Sequence, residues 1–233
     1  MFYLVSLQSI FIRKRQEVSR LTSISIIIFS LIISGCQNNN SQTHNQIEKT
    51  MTDSTNAKFE TAIFGSGCFW CTEAIYERVK GVYSVISGYS GGSVENPAYK
   101  EVCEGNTGHA ECIKIKFNPE EISYDELLEI FWRTHDPTTL NRQGNDVGTQ
   151  YRSVIFYVNE EQRKKAEYYK QKLTEEKIWQ NPIVTEITKF EKFYPAEDYH
   201  QDFYENNPGQ GYCAFVITPK VEKFEKIFKD KLK

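Results

Sequence analysis

Three features that would place this chain in other classes of protein are missing from its sequence. It lacks a basic stripe, because the formal net charge is −3 and residues 1–35 alone contribute +3, which leaves −6 on the rest of the chain. An acidic body argues against nucleic-acid binding, in which Lys and Arg neutralise phosphates. The apolar run 24–33 is too short to cross a bilayer as a helix. The chain also lacks a second CxxC or an HxxxH pair, which disfavours a zinc site.

The N-terminal residues are instead typical of an export signal. Basic residues between Arg13 and Arg20 precede the apolar run, and the tetrapeptide ISGC at 33–36 follows it. Small residues before a cysteine resemble a lipobox, the cleavage site of a lipoprotein signal. We therefore expect residues 1–35 to be a lipoprotein signal peptide and Cys36 to be lipidated. The mature protein would then lie in the cell envelope, anchored outside the cytoplasmic membrane in the periplasm or outer membrane.

The rest of the chain divides into a polar linker and one domain. Residues 36–57 are too polar to fold and suit a flexible tether. A chain of 233 residues with 39% hydrophobic residues can bury one good core, so residues 58–233 are expected to form a single catalytic domain.

Hydrophobic periodicity in this domain alternates between the helical and the extended repeat. A capping box at Ser123 and a cap at Asn159 each indicate a helix start. Strands are predicted at 59–64, 82–88, 110–117, 152–158 and 184–190, and helices at 69–79, 123–132, 159–179 and 221–228. The prediction is an α/β (α+β) fold, a two-layer ferredoxin-like sandwich with a mixed sheet, long active-site loops and a mobile C-terminal tail.

Cys68 lies where a predicted strand passes into a predicted helix. A helix N-terminus stabilises a thiolate, the nucleophilic form of cysteine, and the flanking glycines leave access to its sulfur. Phe69 and Trp70 follow it, and two large aromatics at a helix start suit the wall of an apolar pocket. A small buried cysteine in a tight turn is the simpler alternative.

Glu111 is the second residue that the pattern singles out. Strand alternation places it on the face of Ile113 and Ile115, where a carboxyl is desolvated, keeps its proton and can act as a general acid. An exposed or salt-bridged Glu111 at the strand end is the alternative. Cys112 falls on the opposite face and looks incidental.

Seven segments together resemble the A-class peptide methionine sulfoxide reductases, and the resemblance covers roughly residues 58–228. They are GCFW at 67–70, GYSGG at 88–92, NPAY at 96–99, EVCEGNTGHAE at 101–111, HDPTT at 135–139, RQGNDVGTQYRS at 142–153 and AEDYHQDF at 196–203.

This resemblance implies a role for each matching residue. Cys68 would be the catalytic cysteine, Glu111 the acid that protonates the sulfoxide oxygen, and Cys213 the recycling cysteine. Further matches would hold the substrate: Phe69 and Trp70 its methyl group, and Tyr99 and Tyr151 its oxygen, with Asp146 lining the site.

The resemblance also implies the reaction. Cys68 would become a sulfenic acid, form a disulfide with a second thiol, and be reset by thioredoxin or a periplasmic thioredoxin-like reductant. The substrate would be methionine S-sulfoxide, free or in oxidised proteins, and no metal or organic cofactor is needed.

Cys71 departs from the common family pattern and creates a CxxC motif. That motif raises a rival assignment as a thioredoxin-like disulfide oxidoreductase and offers Cys71 as an alternative resolving thiol. The glycine-rich segment before Cys213 suggests flexibility, which favours Cys213. A zinc-binding or peptide-binding lipoprotein using Cys68, Cys71, Cys103 and His109 is a third possibility. Otherwise Cys103 is expected to pack as a small apolar residue, and His109 and His135 to form loop hydrogen bonds.

Overall fold

The computed structural model describes residues 59–233 and, before them, Phe11 alone. The predicted signal peptide apart from Phe11, the lipidation site Cys36 and the polar tether therefore lie outside the described residues. Phe11 is buried and stacks on Tyr169, with ring centroids 4.2 Å apart. No helix in the described part of the chain has the length and hydrophobicity to cross a membrane.

The strands form one mixed sheet and one small hairpin. Strand order in the six-stranded sheet is β7-β6-β1-β3-β2-β8, and only the β6–β7 pair is parallel. Its strands are β1 (Glu60–Ser66), β2 (Val82–Ser90), β3 (Ala110–Phe117), β6 (Ser153–Tyr157), β7 (Glu186–Lys189) and β8 (Phe193–Pro195), and the hairpin is β4 (Arg142–Gln143) with β5 (Asp146–Val147).

Helices connect these strands and continue to the end of the chain. They are α1 (Phe69–Glu77), α2 (Tyr99–Cys103), α3 (Tyr124–Thr134), α4 (Glu160–Glu175), α5 (Phe203–Asn206) and α6 (Thr218–Ile227), with a π-helix at Cys213–Ile217 that leads directly into α6. Helix α1 connects β1 to β2, which lie on either side of β3.

The main core lies between one face of the sheet and the helices. Phe64 on β1 and Ile113 on β3 point into it, where they meet Tyr76, Phe131 and Tyr169 from three helices. A smaller apolar cluster on the other face contains Ile63, Ala110, Cys112, Val154 and Phe156. Strand alternation thus separates Cys112 from the helical layer, as the sequence predicts.

The structure differs from the prediction in the long segments that were expected to be irregular. Strand β8 pairs with β2, and α5 forms within 191–212. The C-terminal segment predicted as a mobile tail is folded: Cys213 is fully buried within the π-helix. Short elements such as β8, with three residues, are too brief to show a periodicity in sequence.

Candidate active site

Cys68 occupies a turn that leads from β1 into α1. It is the N-cap of α1, with extended backbone angles, and its carbonyl accepts hydrogen bonds from the Cys71 and Thr72 amides at 3.1 and 3.4 Å. Its side chain is buried and makes no capping hydrogen bond. The chain therefore places Cys68 just outside the helix, with Cys71 in its first turn.

The glycine before Cys68 lies against Gln143. Gly67 has φ of +95°, and a Cβ there would lie 2.6 Å from the Cβ of Gln143. Its missing side chain therefore makes room for Gln143.

The two thiols of the CxxC motif affect each other's pKa. The pKa of Cys71 is lowered by a hydrogen bond from the Cys68 thiol, with further stabilisation of its thiolate by Lys220. Burial and that same hydrogen bond raise the pKa of Cys68. The first amide of α1, which the sequence predicts to point at the Cys68 sulfur, binds a different group.

That group is the Glu111 carboxyl, whose Oε2 accepts the Phe69 N–H at 3.0 Å. Glu111 is only 1% exposed, and burial raises the pKa of its carboxyl to about 8. The prediction that Glu111 lies desolvated on the core face of β3 is confirmed, and the direction of its pKa shift favours the protonated form.

Two tyrosines surround this carboxyl. Burial raises the pKa of both Tyr99 and Tyr151, and the nearby charge of Glu111 adds to each shift. Both hydroxyls therefore remain protonated and can donate hydrogen bonds. The carboxylate of Asp146 accepts a 2.7 Å hydrogen bond from the Tyr212 hydroxyl. Asp146 also acts electrostatically on Glu111, so the predicted polar residues do come together.

Phe69 and Trp70 belong to an aromatic group next to the thiols. Trp70 stacks on Phe203, with centroids 3.6 Å apart and an interplanar angle of 6°. Its indole N–H donates to Nδ1 of His200 at 3.1 Å, and the His200 ring lies 5.1 Å from that of Phe69. The predicted apolar wall is therefore larger than two residues.

Cys213 lies in the same apolar cluster as Cys68 and Cys71, which we call the thiol cluster; it also contains Ala74, Ile217 and Val221. All three sulfurs are free thiols. The Cys213 thiol donates to Oε1 of Gln210 at 3.8 Å. The structure thus brings the predicted nucleophile and both candidate resolving thiols together.

Sequence reasoning missed four residues that contact this site: His200, Phe203, Tyr212 and Lys220. The segment 196–203 contains the first two, so the family resemblance already pointed to their location. Apart from their closeness to Cys213 along the chain, nothing in the sequence singles out Tyr212 or Lys220.

The remaining singled-out residues have structural roles. The His109 ring accepts a hydrogen bond from the Gly92 amide and is hydrogen-bonded to the Val94 carbonyl. These bonds hold the loop after β2 in place. His135 bridges Phe131 and Ser153, and burial lowers its pKa to about 4. Cys103 is exposed, so the expectation that it packs as an apolar residue is wrong.

Comparison with known proteins gives consistent matches over this domain. A family model described as "Peptide methionine sulfoxide reductase" matches residues 60–232. The "Peptide methionine sulfoxide reductase MsrA" of Saccharolobus solfataricus is 60% identical over 174 residues, which cover 75% of this chain and 97% of that protein.

Two solved structures have a similar fold. Mxr1 from Saccharomyces cerevisiae in its reduced form superposes with a TM-score of 0.62 at 36% identity, covering 67% of this chain and 90% of that one. Methionine sulfoxide reductase A of Corynebacterium diphtheriae gives a TM-score of 0.60 at 36% identity, covering 67% and 78%.

Proposed function

Because the chain belongs to the peptide methionine sulfoxide reductase family, we propose that Cys68 is the nucleophile with which it reduces methionine sulfoxide to methionine. The observation that carries this proposal is the pairing of Cys68 with a buried, protonated Glu111 in one site. Attack on a sulfoxide sulfur needs a thiolate, and oxide is a poor leaving group until it is protonated. A thiol and a carboxylic acid side by side meet both needs.

Glu111 supplies the proton to the sulfoxide oxygen, and its pKa of about 8 keeps that proton in place at neutral pH. Tyr99 and Tyr151 donate hydrogen bonds to the same oxygen, and Asp146 orients Tyr212 at the edge of the site. The Cys68 proton passes along its hydrogen bond to the Cys71 thiolate as Cys68 attacks.

Phe69 and Trp70 provide the apolar surface for the substrate methyl group. Phe69 is almost fully buried, and the Trp70 ring is fixed by Phe203 on its face and by His200 at its indole N–H. A rigid aromatic wall holds the sulfur in line with the attacking thiolate, which lowers the entropic cost of reaching the transition state. Each sulfoxide epimer has its own enzyme. Membership of this family implies that the substrate is the S epimer.

The reaction leaves methionine and a sulfenic acid on Cys68. A second thiol of the thiol cluster then condenses with it to an intramolecular disulfide, for which Cys71 and Cys213 are both placed. Thioredoxin or a periplasmic thioredoxin-like reductant resets the enzyme by thiol–disulfide exchange. The role is the repair of oxidised proteins.

The test of this function is a single-turnover assay without reductant. Wild-type protein should convert one equivalent of methionine S-sulfoxide and leave the R epimer untouched. Cys68→Ser should produce no methionine even with excess dithiothreitol, because it removes the proposed nucleophile. Methionine production by Cys68→Ser within about tenfold of wild type would refute the assignment, since loss of a nucleophile costs far more.

The fold class can be refined in the same way. Strands β6, β1, β3 and β2 are adjacent and antiparallel, and α1 and α3 connect them in two β-α-β units. This order supports a ferredoxin-like core, to which β7 and β8 are added at the edges.

For location, we propose that residues 1–35 direct export and that Cys36 carries lipid, which places the enzyme in the cell envelope. The basic segment, the short apolar run and the ISGC sequence support this proposal. Mass spectrometry of the mature protein should find a lipidated N-terminal Cys36, and Cys36→Ser should prevent lipidation. An unlipidated mature protein that begins near Met51 would overturn the proposal.

A further inference from the structure

The ammonium group of Lys220, on α6, contacts the sulfur of Cys71. Nζ of Lys220 donates to Sγ of Cys71 at 3.4 Å. The Tyr212 hydroxyl lies 3.9 Å from the same sulfur, and it donates a hydrogen bond to Asp146 at 2.7 Å. Lys220 is therefore the positively charged donor that stabilises negative charge on Cys71.

The turn at the start of α1 also favours Cys71 as the partner of Cys68. Because Cys68 is outside the helix and its carbonyl accepts the Cys71 amide, the two residues form a tight turn in which their thiols are hydrogen-bonded. Cys213 is fully buried, and its thiol is bonded to Gln210. The Cys213 thiol acts electrostatically on Cys71, whereas the Cys71 thiol is itself hydrogen-bonded to Cys68.

We propose that Cys71 is the thiol that resolves the Cys68 sulfenic acid, and that Lys220 is the positioning residue that keeps Cys71 ionised for this step. The proposal rests on the proposed role of Cys68 as nucleophile. Cys213 then attacks the Cys71 sulfur of the Cys68–Cys71 disulfide. This exchange forms a Cys71–Cys213 disulfide and returns Cys68 to the thiol.

The resolving step balances without any further reactant. Cys71 releases the proton that it took from Cys68, and its thiolate attacks the sulfenic sulfur, so that the S–O bond of Cys68 breaks and an S–S bond forms. The Cys71 sulfur is oxidised, the Cys68 sulfur is reduced, and the departing hydroxide takes up the released proton to become water. Methionine sulfoxide has already supplied the oxidising equivalents.

The groups that act on Cys71 come from four directions. Cys68 precedes it, Glu111 faces it from β3, and the Tyr212 hydroxyl is hydrogen-bonded to it and lowers its pKa. Lys220 and Cys213 come from the C-terminal segment. Of these, Lys220 alone is a cation; its charge also lowers the pKa of His135, which stays neutral. The Cys68 hydrogen bond is the largest effect that lowers the pKa of Cys71, and Lys220 adds both its charge and its own hydrogen bond.

Removal of the Lys220 charge should therefore slow resolution in a pH-dependent way. Lys220→Met takes away the charge and the hydrogen bond of Lys220, while the larger effect of the Cys68 hydrogen bond remains, so the pKa of Cys71 should rise. A more basic thiolate is also a better nucleophile, which offsets part of the loss, so the decrease in rate at neutral pH should be severalfold at most. The clearer readout is the pH midpoint of disulfide formation, which should move upward.

The experiment uses rapid-quench single turnover on the full chain with methionine S-sulfoxide and no reductant, at a series of pH values. Methionine release and disulfide formation are followed separately. Lys220→Met should raise the pH midpoint of disulfide formation, and Lys220→Arg should restore much of it. Lys223→Met is the matched control, because Lys223 lines the same cavity of about 320 Å³ on the same helix and should behave as wild type.

Peptide mapping of the first disulfide completes the test. Cys68–Cys71 should form first, and Cys71→Ser should accumulate a Cys68 sulfenic acid that dimedone traps. A first disulfide between Cys68 and Cys213, or an unchanged pH midpoint in Lys220→Met, would overturn the inference while leaving the proposed function intact. Dimedone trapping of Cys71 instead of Cys68 would overturn the proposed function itself.

Discussion

The main-chain N–H of Phe69 lies 3.0 Å from Oε2 of Glu111, so the first amide of α1 binds a carboxyl group and not the adjacent sulfur. The amide favours the ionised carboxylate, whereas burial favours the acid. Burial dominates, because the pKa of Glu111 is raised to about 8. The hydrogen bond thus orients the Glu111 carboxyl group without removing its proton.

The first prediction concerns the protonation of the sulfoxide. Glu111→Gln removes the acidic proton but keeps the shape of the side chain, so methionine release should slow by about 10²-fold or more. In wild type, the carboxyl is protonated below its pKa, so release should decline as the pH rises through about 8. Quenched-flow measurement of methionine checks both expectations.

Glu73→Gln is the control for this variant, because Glu73 is also buried and also has a raised pKa, at about 7. It should keep methionine release close to the wild-type rate. If Glu111→Gln folds normally and releases methionine at an unchanged rate, the proton comes from another donor and the role of Glu111 is wrong.

The second prediction concerns stability and pH at Glu73. Burial raises its pKa to about 7 although Ser87 Oγ donates to it at 3.0 Å, so the folded state holds this proton more tightly than the unfolded chain. Its contribution to stability is therefore complete below the ordinary glutamate pKa and is lost as the pH rises toward 7. Glu73→Gln should gain on the order of 1 kcal/mol over wild type at pH 8 and little at pH 4.

Urea unfolding at the two pH values measures this difference directly. The exposed Glu222 provides a comparison, because Glu222→Gln should show the same stability difference at both pH values. An equal effect of Glu73→Gln at low and high pH would show that the substitution acts through packing and not through ionisation.

The third prediction concerns the handover to the external reductant. Cys213→Ser should lose turnover driven by thioredoxin, because the disulfide then stays between the buried residues Cys68 and Cys71. A single turnover should still release methionine, since attack and recycling use different sulfurs. Thioredoxin-coupled NADPH consumption and a methionine burst distinguish the two steps, and wild-type consumption in Cys213→Ser would remove Cys213 from the cycle.

The fourth prediction concerns the turn that positions Cys68. Gly67→Ala places a side chain at φ of +95° and 2.6 Å from Gln143, so it should destabilise the fold by about 1–3 kcal/mol and displace the nucleophile. Gly209→Ala is the matched control, because a Cβ there meets nothing within 4 Å. Thermal unfolding together with the single-turnover rate measures both effects, and a Gly67→Ala variant as stable as Gly209→Ala would contradict the argument.

The elements that the sequence predicts well are those with strong local signals. Strand β3 has the predicted bounds, 110–117. The Ser123 capping box forms as expected, with the Ser123 amide donating to Glu126 at 2.9 Å, and Asn159 Oδ1 accepts the Gln162 amide at 2.9 Å. In each case the decisive contacts lie within a few residues, so the pattern alone carries the information.

The features that escaped prediction depend on contacts between distant residues. Strand β8 exists because Tyr194 pairs with Tyr89, and Lys220 stabilises Cys71 from 149 positions further along the chain. The partner of the first α1 amide was misjudged for the same reason, since the amide expected to point at the Cys68 sulfur binds Glu111. Only tertiary structure decides which of several nearby groups a donor binds.

The π-helix at Cys213–Ile217 makes the spacing of this segment sensitive to insertions and deletions. Such a wide turn holds one residue more than an α-helical turn, and here it merges with α6 at Thr218, whose Oγ1 donates to the Cys213 carbonyl at 3.0 Å. Deleting one residue of α6 between the π-helix and Lys220, with the π-helix intact, would rotate the cysteine by about 100° relative to Lys220. The sulfur would then leave the thiol cluster while the composition of the chain stayed almost the same. The rotational position of Cys213 on its helix therefore matters as much for disulfide exchange as the presence of a cysteine in this segment.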